Sequence, residues 1–248
     1  MEVPTRFVVS MVTDRRTPET LRALVGDFAD RTEHRPPRLV TTDDCAAYEP
    51  VLLDCYGKPV EVRRRKDGEL DRRFRPQKVW PNGSVYGTVK KTFACGEVAH
   101  TRQKLALGSP EDLRQALGVS SSSQTINTSF VERQNGTDRT HNSRKARKTL
   151  TYSKDLLLHL AVSWWVMFCY NFHFLNAGLD EVRGFDERRE RRVLHHRTPA
   201  MAKGLADHAW SVSEILFTPL LRKPSHLKLT PDYFRPWLKD SKCPTAMT

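Results

Sequence analysis

The sequence predicts an α/β protein: a mixed sheet flanked by helices, interrupted by a basic, partly β segment. Three observations carry that reading. The apolar, β-branched run from Arg6 to Thr13 has the composition of a strand. The segment opening at Thr17 and Pro18 then sets Leu21, Leu24, Val25 and Phe28 at helical spacing. A Pro-rich turn leads next into a short strand, Leu39 to Thr42, ending at Asp43.

The remaining elements follow in order. A second helix is expected over CAAYEPVLLDCYG, Cys45 to Gly57. From Lys58 to Val119 the chain turns basic and rich in Gly and Pro. Alternation of Val85, Tyr86, Thr88 and Val89 suggests strands or a hairpin there, with Asn82-Gly83 as a turn signal. Trp80 and Tyr86 lie among basic residues, where packing is favoured over stacking on nucleic-acid bases. SPEDLRQAL, Ser109 to Leu117, reads as a short capped helix, and Ser120 to Ser123 as a loop. A helix over 130–148 is expected next, then another carrying the apolar run Leu156 to Tyr170. That run falls short of the ~20 apolar residues a membrane span needs, so it reads as a buried core helix, with Trp164, Trp165 and Cys169 inside. RGFDERRERRVLHHR is a charged stretch, and TPAMAKGLADHAWSVSEIL gives a Pro-started turn followed by a capped helix. The expected organisation is a first part of the core over 1–57, an inserted basic lobe and linker over 58–124, a helical second part over 125–218, and a loosely packed tail over 219–248.

The balance of 41 Lys and Arg against 29 Asp and Glu leaves a net charge of +12 in 248 residues. A surplus of that size favours a polyanion, because Lys and Arg release counterions from phosphates. An ordinary basic surface or contact with an anionic membrane would also account for it. Five cysteines without a CxxC pair argue against disulfides and a structural zinc, and fit a reducing cytoplasm. The opening MEVPTRFVVS lacks the apolar core of a secretory leader. The nine histidines are scattered, and His195-His196 sits in a charged stretch without metal-ligand spacing.

Two acids stand out. Asp43 ends a strand, where loops of α/β folds open clefts and a carboxylate can hold Mg²⁺. It, or Asp44, would equally serve as the N-cap of the next helix. On a helix over 130–148, Glu132, Asn135, Gly136 and Arg139 share one face. An acid, an amide and a guanidinium together suit a phosphodiester site, and Arg144, Lys145, Arg147 and Lys148 behind them could track a DNA backbone. A solvated helix in which Glu132 pairs with a neighbouring Arg explains the same residues without chemistry.

TTDDCAAY followed by FVERQNGTDRTHNSRKARKTLTYSK resembles the catalytic core of the insertion-sequence-one family of bacterial transposases. In that family a TD motif with a following Tyr precedes an ER-x-N-x-x-x-R helix and a basic RKT segment. YNFHFLNAGL and RTPAMAKGLADHAWSVSEIL resemble the closing part of related transposases. The resemblance runs from about Thr5 to Leu216 and is weakest in the inserted lobe. It implies an RNase H-like fold and a DDE triad, in which carboxylates hold Mg²⁺ (or Mn²⁺) ions for DNA strand cleavage and strand transfer. It also implies work on DNA as a homo-oligomer, without a membrane. Asp43 matches the second acid and Glu132 the third, while Asn135 and Arg139 match the polar residues that follow. The first acid of the family lies three residues before a Thr-Arg pair. Here that pair is Thr5-Arg6 and the position holds Glu2. Asn176 stands where relatives carry a His. The strand before the first acid and an upstream DNA-binding segment are expected in the family, so the reading is of an N-terminally truncated and impaired transposase. The alternative is a non-catalytic DNA-binding remnant or a repurposed interaction protein.

Overall fold

A computed structural model describes residues 1–14, 17–60, 78–146, 148, 150–187, 189 and 191–217. The chain divides into a unit spanning Met1–Ala209 and a second beginning at Trp210. The first is a mixed α/β unit with a small mixed sheet flanked by helices.

Its sheet has three strands. Strand β1 (Leu39–Asp43) pairs in parallel with β4 (Val85–Ala94), which pairs antiparallel with β5 (Glu97–Leu107). Two short strands, β2 (Lys58–Pro59) and β3 (Lys78–Val79), form a separate ladder. The central strand β4 thus comes from the stretch read as an inserted lobe. The expected Asn82-Gly83 turn is present, with Gly83 at φ 76°, and it leads into β4. The β4–β5 hairpin itself turns at Cys95 and Gly96, with φ of 53° and 87°. Two positive φ values in a two-residue loop match the twist of the flanking strands. Cys95 gives a weaker signal for such a turn than Asn would.

Helix α1 (Pro18–Arg31) begins as expected: Pro18 opens it, and the Thr17 hydroxyl accepts the amide of Thr20. It packs with α2 (Tyr48–Tyr56) against one face of the sheet, where Val25, Ala29, Val51, Leu52, Tyr56, Trp80 and Tyr86 form a core. Trp80 is inside this core, edge-on to Tyr56 at 6.4 Å, and its indole donates to the Ser84 carbonyl. Burial pushes the Tyr86 phenol up to about 12, against the hydrogen bond it shares with Thr42.

A second cluster joins Val8, Met167 and Tyr170, and belongs to α5 (Leu156–Phe172). Here the expected strand Arg6–Thr13 is corrected. The segment forms no strand and joins no sheet among the described residues. The Asn171 side chain takes the place of a neighbouring strand: its Oδ1 accepts the Val8 amide at 2.9 Å and its Nδ2 donates to the Val8 carbonyl at 3.0 Å. A single amide thereby satisfies a buried backbone donor and acceptor.

Helix α5 is buried at its carboxyl-terminal half, including Cys169, whose thiol is pushed up by burial. Its other half is not, and Trp164 and Trp165 are exposed rather than internal. By length and composition alone, Leu156–Leu179 is apolar enough to cross a membrane. Ser109 caps α3 (Pro110–Val119), and Thr198 caps α6 (Pro199–Lys203). The charged RGFDERRERRVLHHR stretch supplies a hairpin of β6 (Glu181–Asp186) and β7 (Arg191–His195). In the second unit, Ser211 and Glu214 exchange reciprocal hydrogen bonds at the start of α7 (Val212–Phe217). The 219–248 tail lies outside the described residues, as does 61–77.

Candidate nucleic-acid interface

Helix α4 (Ser129–His141) carries Glu132 but ends sooner than expected. Asn142 stops it: its φ of −125° and ψ of 90° leave the helix, its side chain accepts the Arg144 amide, and it is buried. The basic residues Arg144 and Lys145 therefore sit on a single 3₁₀ turn, Ser143–Lys145, rather than continuing α4. The Lys145 ammonium binds Asp138 at 2.8 Å in a mostly buried pair. Lys148 is exposed, at φ 53°, and Arg147 lies outside the described residues. On α4 itself, Glu132, Asn135 and Arg139 are all exposed.

Strand alternation places Asp43. The register sets Asp43 beside Val89, Thr42 beside Thr88 and Val40 beside Tyr86. Val40 and Tyr86 face the α1–α2 core, so Asp43, Val89 and Lys91 face the other side. A side chain on Gly87 would meet Ile126, in the segment entering α4, so that side is the α4 side. Lys91 reaches across it and donates to both Glu132 oxygens, at 2.6 Å and 2.5 Å, while Thr128 donates to Oε1 at 2.7 Å. These hydrogen bonds hold the Glu132 carboxyl below its ordinary value. Asp43 and Glu132 thus meet one face of one sheet at its carboxyl end. The cap reading of Asp43 does not hold, because Ala47 is the residue preceding α2 and no side chain caps it.

Glu2 is placed differently. It accepts from Lys203 of α6 at 2.5 Å and from Thr5 at 2.6 Å. Burial alone would raise this carboxyl, but the Lys203 and Thr5 hydrogen bonds outweigh it and carry it below the ordinary value. Among the described residues, no three His, Cys, Asp or Glu side chains gather where an ion could sit. A hard divalent ion needs carboxylate oxygens free to coordinate it. With Lys91 on Glu132 and Lys203 on Glu2, the acids as arranged do not fit the Mg²⁺ that the transposase resemblance implies.

The β4–β5 ribbon holds basic residues that the sequence reading did not single out. Beyond Val89 both strands are exposed except for Lys91. Across the ribbon Thr88 pairs with Lys104, Lys90 with Arg102, and Thr92 with His100. Directly opposed residues point to one side of an antiparallel pair, so Lys90, Arg102, Lys104 and His100 make one basic face. Lys90 lies 3.6 Å from Asp44, while Arg102 and Lys104 make no ion pair among the described residues. Lys90 directly opposite Arg102 is a like-charge pair that costs stability. Only the strand register reveals this face, since the two halves are separated by the turn.

Comparison of the chain with protein-family models, with curated proteins and with solved structures finds no match.

Proposed function

We propose that this chain is a DNA-binding domain of the DDE transposase kind, with strand cleavage and transfer impaired. The observation that carries the reading is the convergence of Asp43 and Glu132 on one sheet face, from distant parts of the sequence. The finer expectation of an RNase H-like sheet draws support from the parallel β1–β4 pair, with β5 antiparallel beside it and Asp43 at the carboxyl end of β1. The sequence leaves open a strand-transferring enzyme and a non-catalytic relative. The lysines seated on Glu132 and Glu2 favour the second.

DNA binding is assigned to the basic ribbon face of Lys90, Arg102 and Lys104, together with Arg139, Arg144 and Lys148. Cations spread over a projecting ribbon suit backbone phosphates, and a two-stranded ribbon fits a major groove. Assembly of several copies on DNA belongs to the same proposal. The test is a titration of duplex DNA with the purified 248-residue chain at several salt concentrations. Affinity should fall steeply and linearly in log-log form, with a slope of about −0.9 per neutralised phosphate. No binding at low salt, or binding indifferent to salt, would refute the assignment.

A further inference from the structure

A cavity of about 240 Å³ opens between α4, the end of α5 and the amino-terminal segment. Arg6, Arg133, Gln134, Tyr170 and Asn176 contribute polar groups to it, and among the described residues no carboxylate lines it. Two guanidinium groups sharing a small cavity without an acid repel each other. Burial first works against the protonated Arg6 side chain, Tyr170 partly offsets it, and the nearby Arg133 charge adds to it. Among the described residues the buried Arg6 Nε–H finds no hydrogen-bond partner, and its backbone is held at φ 58°. A buried unmet donor and a strained backbone at one residue mark a site that something else completes.

Arg6 already covers the Phe130 ring, 3.9 Å from its centroid. His141 covers Phe174 in a stacked pair at 4.3 Å. The guanidinium groups and the Gln134 amide in the wall can donate to oxygen. We infer that this cavity binds the phosphate of a phosphate ester, with Arg6 and Arg133 as its counter-charges. Arg forks match phosphate oxygens in pairs. The volume lies below the ~300 Å³ at which drug-sized ligand pockets begin, and leaves room for a phosphate with part of its sugar. The ester is either a free nucleotide or a nucleic-acid backbone. This site does not depend on Glu132, which lies on another face of α4.

The test uses the full chain in titration calorimetry, with dAMP, with inorganic phosphate, with deoxyadenosine, and separately with duplex DNA. Arg133→Gln removes a counter-charge; Gln134→Glu adds an anion to the wall and carries the test if the first variant does not fold. The expected result is binding of dAMP and phosphate but not deoxyadenosine, with both variants weakening it by about 10-fold or more. Loss confined to the duplex titration identifies a backbone phosphate as the ligand and equally supports the site. Deoxyadenosine binding as well as dAMP overturns it, and so do variants that bind every ligand within about 2-fold of wild type. In the last case, duplex binding that persists unchanged leaves the DNA assignment standing while the cavity assignment falls. Absence of all binding overturns both.

Discussion

The ammonium of Lys91, on the central strand, sits 2.6 Å from Oε1 and 2.5 Å from Oε2 of Glu132, in the first turn of α4. The pair is half exposed on the Glu132 side, so it stabilises the fold by no more than about 0.2–1 kcal/mol.

The pair titrates with a defined sign. The folded Glu132 carboxyl lies below its unfolded value. Its contribution is therefore complete above the ordinary Glu value of about 4.3 and is lost as pH falls through the folded value. Melting curves between about pH 6 and 3 should show wild type losing more stability on acidification than Glu132→Gln. Parallel curves would mean that the pair contributes nothing. The difference should also shrink in about 1 M salt, which screens a half-exposed pair.

The ribbon face is tested by charge removal. Lys90→Ala, Arg102→Ala and Lys104→Ala should each reduce the salt dependence of duplex binding by about 0.9 in slope, without changing the melting temperature downward. Lys90→Ala should stabilise slightly, because it relieves the opposition to Arg102. Slopes identical to wild type in all three would remove the ribbon from the interface.

Asn171 should be intolerant of substitution. Asn171→Leu leaves the buried amide and carbonyl of Val8 unpaired, at about 1–3 kcal/mol each. At about 2–4 °C per kcal/mol for a chain of this size, the melting temperature should drop by about 4 °C or more. Asn171→Asp should restore only the half of the interaction that accepts the Val8 amide. A drop under about 1 °C would show that the amino-terminal segment is not fixed by this contact.

Gly108 makes a sharper backbone test. It sits at φ 97°, between β5 and α3, and a Cβ there would lie 2.7 Å from the Ser84 carbonyl oxygen. Gly108→Ala should cost about 1–3 kcal/mol in chemical denaturation, whereas Gly118→Ala, which meets nothing within 4 Å, should be neutral or stabilising.

Local signals made much of the fold legible. Thr17-Pro18, Ser109-Pro110 and Thr198-Pro199 each mark a helix start that the structure keeps, and apolar spacing placed α1 and α5. What local sequence did not carry was decided by distant partners. Arg6–Thr13 has strand composition, yet the Asn171 side chain takes the backbone groups of Val8 and no ladder forms there among the described residues. The helix expected to run to 148 ends at His141, because the Asn142 side chain accepts the Arg144 amide two residues on. β6 and β7 are hidden in a run of charges, since their strand faces are exposed. At the candidate site, Asp43 and Glu132 could be singled out in the sequence, but Lys91 could not. Its contact with Glu132 spans 41 positions and is set by the fold, not by local sequence.

The central claim is that this chain binds DNA while lysines hold its acids away from metal. The direct measurement is Mg²⁺-dependent nicking and strand transfer by the purified chain on duplex DNA to which it is demonstrably bound. The account requires bound but uncut DNA, with Asp43→Ala and Glu132→Ala indistinguishable from wild type. Robust Mg²⁺-dependent cleavage that either substitution abolishes would contradict it.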